Sequence, residues 1–114
     1  MKQFVVIYYA PISAMEQMKH SNSEDMRKSM EDWMKWAEKC GEGLVDMGSP
    51  LGNGQEIVQS GISPSKKGIV GFSILQANDM EGAEELIKGH PHLSWNENCK
   101  IEIHEKMPLP KENC

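Results

Sequence analysis

The sequence is poor in the features that announce a chemistry. Its three cysteines, Cys40, Cys99 and Cys114, have no C-x-x-C spacing, which argues against a disulfide framework and against a zinc knuckle. It has no Gly-x-Ser-x-Gly elbow, phosphate loop, dinucleotide fingerprint or His-Glu-x-x-His, so the common signatures of hydrolases, nucleotide enzymes and zinc proteases are missing. Basic residues are outnumbered, 12 against 17 acidic ones, for a net charge of −5. A nucleic acid or an anionic membrane surface needs a basic stripe, and neither is an expected partner. Long apolar runs are absent too. Phe4 to Ala10 is too short for the core of a secretory signal and far too short to span a bilayer. The expected compartment is the cytoplasm, with no cofactor and no bound metal.

What is present is an ordinary globular composition, 39% hydrophobic and 25% charged, over 114 residues. That is one domain, read as 1–110, with a polar tail over 111–114. The nine methionines suit an adaptable core.

Phe4-Val5-Val6-Ile7-Tyr8-Tyr9 is β-branched and aromatic without a polar interruption, the pattern of a strand buried on both faces. Pro11 to Asn22, with Met15 and Met18, reads as a loop holding one helical turn at most. A long helix follows, capped by Ser21 or Ser23, with Glu24 and Asp25 at its positive end. Met26, Met30, Trp33, Ala37 and Cys40 recur at helical spacing, with Met34 beside them and Trp36 at the boundary of the stripe. Gly41 and Gly43 end it. Leu44–Met47 is a short strand before a Gly/Pro-rich turn over 48–54. Glu56–Gln59 and Ile69–Gln76 are predicted to form an antiparallel hairpin across Gly61, Pro64 and Lys66-Lys67-Gly68. Asn78 or Asp79 caps a second helix, whose apolar face is Met80, Ala83, Leu86 and Ile87 and whose C′ residue is Gly89. Lys100 to Met107 is the last strand, closed by Pro108 and Pro110.

This order gives an α+β fold: a ferredoxin-like βαββαβ subunit with an extra hairpin, two helices covering one face of an antiparallel sheet. Two helices leave the second face bare, yet the strands are apolar in both directions. A second copy of the same sheet is the simplest cover, giving a homodimer.

His90-Pro91-His92 is the most suggestive cluster for chemistry, because two imidazoles on a rigid turn offer acid/base groups near neutral pH. Histidines at helix ends also serve simply to satisfy carbonyls. Asp46 is a second candidate, as a cleft carboxylate or as the residue that opens a turn. Glu102 and His104 share a strand face and suit a paired set at an interface. Tyr8 and Tyr9 point to opposite faces. Ser73 has no neighbouring signal for nucleophile activation.

Several of these segments together resemble the YCII-related family, in particular its DGPF-domain relatives. They are Lys2–Tyr9, Trp33-Met34-Lys35-Trp36-Ala37, Leu44-Val45-Asp46-Met47-Gly48-Ser49-Pro50-Leu51-Gly52, Ile69-Val70-Gly71-Phe72-Ser73, Gly89-His90-Pro91-His92-Leu93 and Ile101-Glu102-Ile103-His104-Glu105. The resemblance runs from about Lys2 to Pro108. It implies a dimeric α+β barrel, without a settled activity, in which a His and an Asp near a subunit cleft act on small molecules. The chain departs from the pattern where Ser60-Gly61-Ile62-Ser63 replaces the Asp-Gly-Pro-Phe tetrapeptide. It has no histidine between Ser23 and Gly41, and it carries His90 where some relatives have Asp. A His–Asp pair must therefore be built from His90 or His92 with Asp46.

Two function classes follow, and a third stays open. One is a small-molecule enzyme of lyase or isomerase type, with His90 or His92 as acid/base and Tyr8, Trp33, Phe72 and Ser73 around the ligand. The alternative is a non-catalytic small-ligand-binding or stress-associated dimeric module. The third is a purely structural dimer with a filled interior. Light scattering at micromolar concentration is expected to give about twice the 12.8 kDa chain mass; the mass of a single chain would refute the pairing of sheets.

Overall fold

The computed structural model describes residues 1–12, 16, 19 and 22–109. Most of the loop expected over Pro11–Asn22 (Met15, Met18 and Ser21 with it), together with Pro110, Cys114 and the tail, lies outside the described residues.

Six strands are described: β1 (Lys2–Tyr9), β2 (Leu44–Pro50), β3 (Gln55–Val58), β4 (Gly61–Pro64), β5 (Ile69–Ala77) and β6 (Lys100–Glu105). The helices described over their full length are α1 (Ser23–Cys40), α2 (Met80–Ile87) and α3 (Pro91–Trp95), with a 3₁₀ turn at Gly41–Gly43. The architecture is α+β. Four strands form an antiparallel sheet in the order β2-β5-β1-β6, and β3 and β4 form a separate two-stranded ribbon.

β1 sits at the centre and alternates strictly. Phe4, Val6 and Tyr8 are buried, whereas Val5, Ile7 and Tyr9 are half-buried. In the register of β1 with β5, Val6 faces Ser73 and Ile7 faces Phe72. One face therefore carries Phe4, Val6, Tyr8, Ser73 and Leu75 beneath the helices, where Trp36, Cys40, Ala83 and Ile87 complete the core. The other carries Val5, Ile7, Phe72 and Ile74, half-buried, and none of the three helices named above lies over it among the described residues. Within one chain, then, β1 is not buried on both faces as its composition suggested.

Several local expectations are corrected. The cap of α1 is Asn22, whose Oδ1 accepts from the Asp25 N–H at 2.8 Å, not Ser21 or Ser23. Asp79 caps α2 in the same way through the Gly82 N–H. Met26, Met30 and Met34 are exposed, and the buried stripe of α1 shifts to Trp36 and Cys40 with Trp33 and Ala37 beside them. The reason is polar as well as apolar. The Trp36 indole N–H donates to the Leu86 carbonyl at 2.8 Å and Lys39 Nζ to the Lys88 carbonyl at 2.9 Å, so the end of α1 satisfies the last carbonyls around α2.

Gly48, Ser49 and Pro50 belong to β2 rather than to a turn. The strand bulges there, and Gly48, at φ +82°, has no room for a Cβ against the Phe72 carbonyl. The hairpin partner of β3 is β4, not β5, with Ile57 opposite Ile62. A third helix, α3, starts where only a turn was read; Pro91 occupies its first turn and His90 its N-cap.

An Asn22→Ala change is expected to cost about 1 kcal/mol in urea denaturation, whereas Ser23→Ala is expected to stay within about 0.5 kcal/mol. The reverse ranking would move the cap to Ser23.

Candidate functional site

The corner between α2 and α3 brings His90 and His92 against the helix-covered face of the sheet. Gly89, at φ +75°, turns the chain out of α2, and the cap geometry drives the His90 side chain inward. Its Nδ1 accepts the His92 backbone N–H at 2.9 Å. A neutral imidazole that accepts at Nδ1 carries its proton on Nε2. That Nε2–H is buried and has no hydrogen-bond partner among the described residues.

Rings close around it. His90 is 1% exposed, with the ring centroids of Trp36 at 4.4 Å, Trp33 at 4.5 Å and Tyr8 at 5.0 Å. Burial in this aromatic shell, with His92 adding a smaller effect, lowers the His90 pKa to about 3. The ring is neutral at physiological pH and its lone pair is already engaged. It is a hydrogen-bond donor and not a base.

His92 is also buried. Its Nε2 donates to the Tyr9 carbonyl at 2.8 Å, tying α3 to the end of β1, and burial lowers its pKa as well. Trp95 packs beside it at 5.8 Å.

Tyr8 continues the cluster inward. Its hydroxyl lies 2.8 Å from Ser73 Oγ, and Ser73 Oγ donates to the Met47 carbonyl at 2.7 Å. Ser73 has one proton to give, so Tyr8 donates to Ser73. The relay stitches β1 through β5 to edge strand β2. Burial pushes the Tyr8 phenol up to about 12, against the lowering effect of its bond to Ser73. Neither hydroxyl is an activated nucleophile, because each proton is held in the relay.

Of the residues expected at the site, the structure gathers His90, His92, Tyr8, Trp33 and Ser73. Phe72 does not join them, since alternation along β5 puts it on the face opposite Ser73. Asp46 does not join them either: it is exposed on β2 and its Oδ1 accepts from the Gly48 N–H at 2.8 Å, holding the bulge. A His–Asp pair is therefore not formed. Glu102 and His104 lie on the open face, bonded to one another at 2.9 Å, and Tyr9 donates to the same carboxylate oxygen at 3.2 Å. The bond to His104 holds the Glu102 pKa below its ordinary value, with burial opposing it and Tyr9 adding a lesser lowering effect. Trp36 is the member that sequence reasoning left at the boundary of its stripe; its position three residues after Trp33 was the available signal. Among the described residues, no three His, Cys, Asp or Glu side chains gather as a metal site.

Outside this cluster a groove of about 330 Å³ runs between α1 and the α2–α3 corner, lined by Asp32, Lys35, Trp36, Lys39, Gly89, Pro91 and Ser94. It thus meets Trp36 and the residues on both sides of His90. No helix among the described residues is long and apolar enough to cross a membrane. No protein-family profile matches the chain, and no curated protein matches it.

Because both histidines are harder to protonate folded than unfolded, the unfolded chain binds more protons once pH falls below about 6.5. Stability is expected to drop as pH is lowered from about 6.5 to about 5, above the ordinary carboxylate range. Urea midpoints at the two pH values check this, and a His90→Phe variant is expected to flatten the difference; a flat wild-type profile would contradict a buried neutral His90. Ser73→Ala, which orphans the Tyr8 hydroxyl, is expected to cost about 1–3 kcal/mol. Tyr8→Phe in that background is expected to add almost nothing.

Proposed function

We propose that this protein is a YCII-related, ferredoxin-like subunit that works in the cytoplasm as a homodimer and binds a small planar ligand bearing a hydrogen-bond acceptor. The observation that carries the ligand is the His90 Nε2–H, buried without a partner among the described residues inside a shell of Trp33, Trp36 and Tyr8. An unmet buried donor costs about 1–3 kcal/mol. A ligand carbonyl or ether oxygen would satisfy it, and the aromatic rings suit a flat apolar body. The groove beside Trp36, Gly89 and Pro91 offers an approach.

The subunit plan is supported by the sheet. With the ribbon set aside, its strands run second-third-first-fourth in chain order, with helices after the first and third. The dimer is supported by the open face of Val5, Ile7, Phe72 and Ile74, and the compartment by the free thiols of Cys40 and Cys99.

Ligand binding is favoured over acid/base catalysis because His90 has no lone pair to spare and no carboxylate stands beside it among the described residues. A lyase or isomerase remains the second reading for one reason: a neutral imidazole N–H can polarise a substrate carbonyl without becoming charged. Benzamide and toluene serve as probes, one with an acceptor and one without, followed by the tryptophan fluorescence. Benzamide is expected to bind the wild-type chain roughly tenfold more tightly than His90→Phe, about 1.4 kcal/mol, while toluene is expected not to discriminate. Equal binding of benzamide to both chains, or none at millimolar concentration, would overturn the assignment.

A further inference from the structure

We infer that the β3–β4 ribbon is a clasp that reaches onto the second copy of the chain and completes the contact begun by the open sheet face; this rests on the dimer proposed above. Among the described residues the ribbon pairs with no other strand of its own subunit. Every residue of β3 and β4 is exposed, and the two strands pair only with each other. Two-stranded hairpins standing alone are marginal in water.

The ribbon is also two-faced. Ile57 stands directly opposite Ile62, 73% and 69% exposed, and Pro64 shares their side. The reverse side presents the pair Glu56 and Ser63 together with Val58, 54% exposed opposite Gly61. One side thus carries the paired isoleucines and Pro64 with Gln55, against a single valine on the other, and is the more apolar of the two. The Leu51 N–H donates to the Val70 carbonyl at 2.9 Å and fixes the base to β5, and the Ser65 N–H donates to the Gly54 carbonyl at 2.9 Å and closes the stem of the ribbon. The arm therefore leaves the body at the β2–β5 edge of the sheet.

Area identifies the occupant. Four strands about 4.8 Å apart and about six residues long present roughly 400 Å² in projection. Two such faces together give roughly 800 Å², short of the roughly 1,200–2,000 Å² that stable interfaces bury. Adding the apolar side of each ribbon closes much of that gap. A two-fold contact uses both arms equivalently, so every copy both gives and receives a clasp. A second copy thereby covers the open face and both ribbons in one contact.

Sedimentation equilibrium of Ile57→Asp/Ile62→Asp against Glu56→Ala/Ser63→Ala tests the clasp. The first pair is expected to raise the dimer dissociation constant at least tenfold, and the second to leave it within twofold. Hydrogen exchange of the Ile57 and Ile62 amides in the wild-type chain is the companion measurement, independent of any misfolding by the variants. Exchange is expected to slow at least tenfold between concentrations below and above the dissociation constant. An unchanged dimer with concentration-independent exchange overturns the clasp and leaves the sheet dimer standing. A wild-type chain that stays monomeric overturns both.

Discussion

The alternation of β1 divides this molecule into two surfaces with different tasks. Because successive side chains of a strand point to opposite sides, Phe4, Val6 and Tyr8 commit to the helices while Val5, Ile7 and Tyr9 are left facing outward. As β1 pairs with both β5 and β6, its register fixes which residues of those strands join each side. Each tyrosine anchors a polar device on its own side. Tyr8 feeds the buried relay through Ser73 to Met47, and Tyr9 meets the exposed Glu102–His104 pair. A slip of one residue would exchange the two sets and bury a carboxylate beneath α1.

On the covered side, the hydrogen bond from the His92 amide to His90 Nδ1 decides what chemistry is available. It caps α3, selects the Nε2–H tautomer and consumes the lone pair that a general base would need. The aromatic shell then keeps the ring uncharged. Among the described residues the same shell leaves its remaining proton without an acceptor. An unmet donor in an otherwise satisfied core is the kind of local inconsistency that functional sites carry.

Much of the fold was legible because local signals agreed with one another. β1, β5, the length of α1 and the start of α2 all combine periodicity with turn or cap residues. The misses have physical causes. β4 is spelled Gly-Ile-Ser-Pro, whose ends read as turn residues, and an exposed ribbon tolerates a proline that a central strand would not. The methionine stripe of α1 follows helical spacing correctly, yet every residue over 23–32 is exposed, and periodicity alone does not show which half of a helix is covered. Histidine is an uncommon N-cap, which hid α3 despite Pro91 behind it. Phe72 was placed with Tyr8 because cross-strand register is not written in either strand alone. Asp46 lay on the line between two readings, and the bulge at Gly48 decided for the structural one.

The central claim is that His90 is a neutral Nε2–H donor held within the aromatic shell. Long-range ¹H–¹⁵N correlation spectra of the histidine side chains at pH 7 test it most directly. The account expects His90 to show a protonated Nε2 and an unprotonated, hydrogen-bonded Nδ1, unchanged down to about pH 5, well above its pKa of about 3. A proton on Nδ1, or an imidazolium at neutral pH, would contradict it.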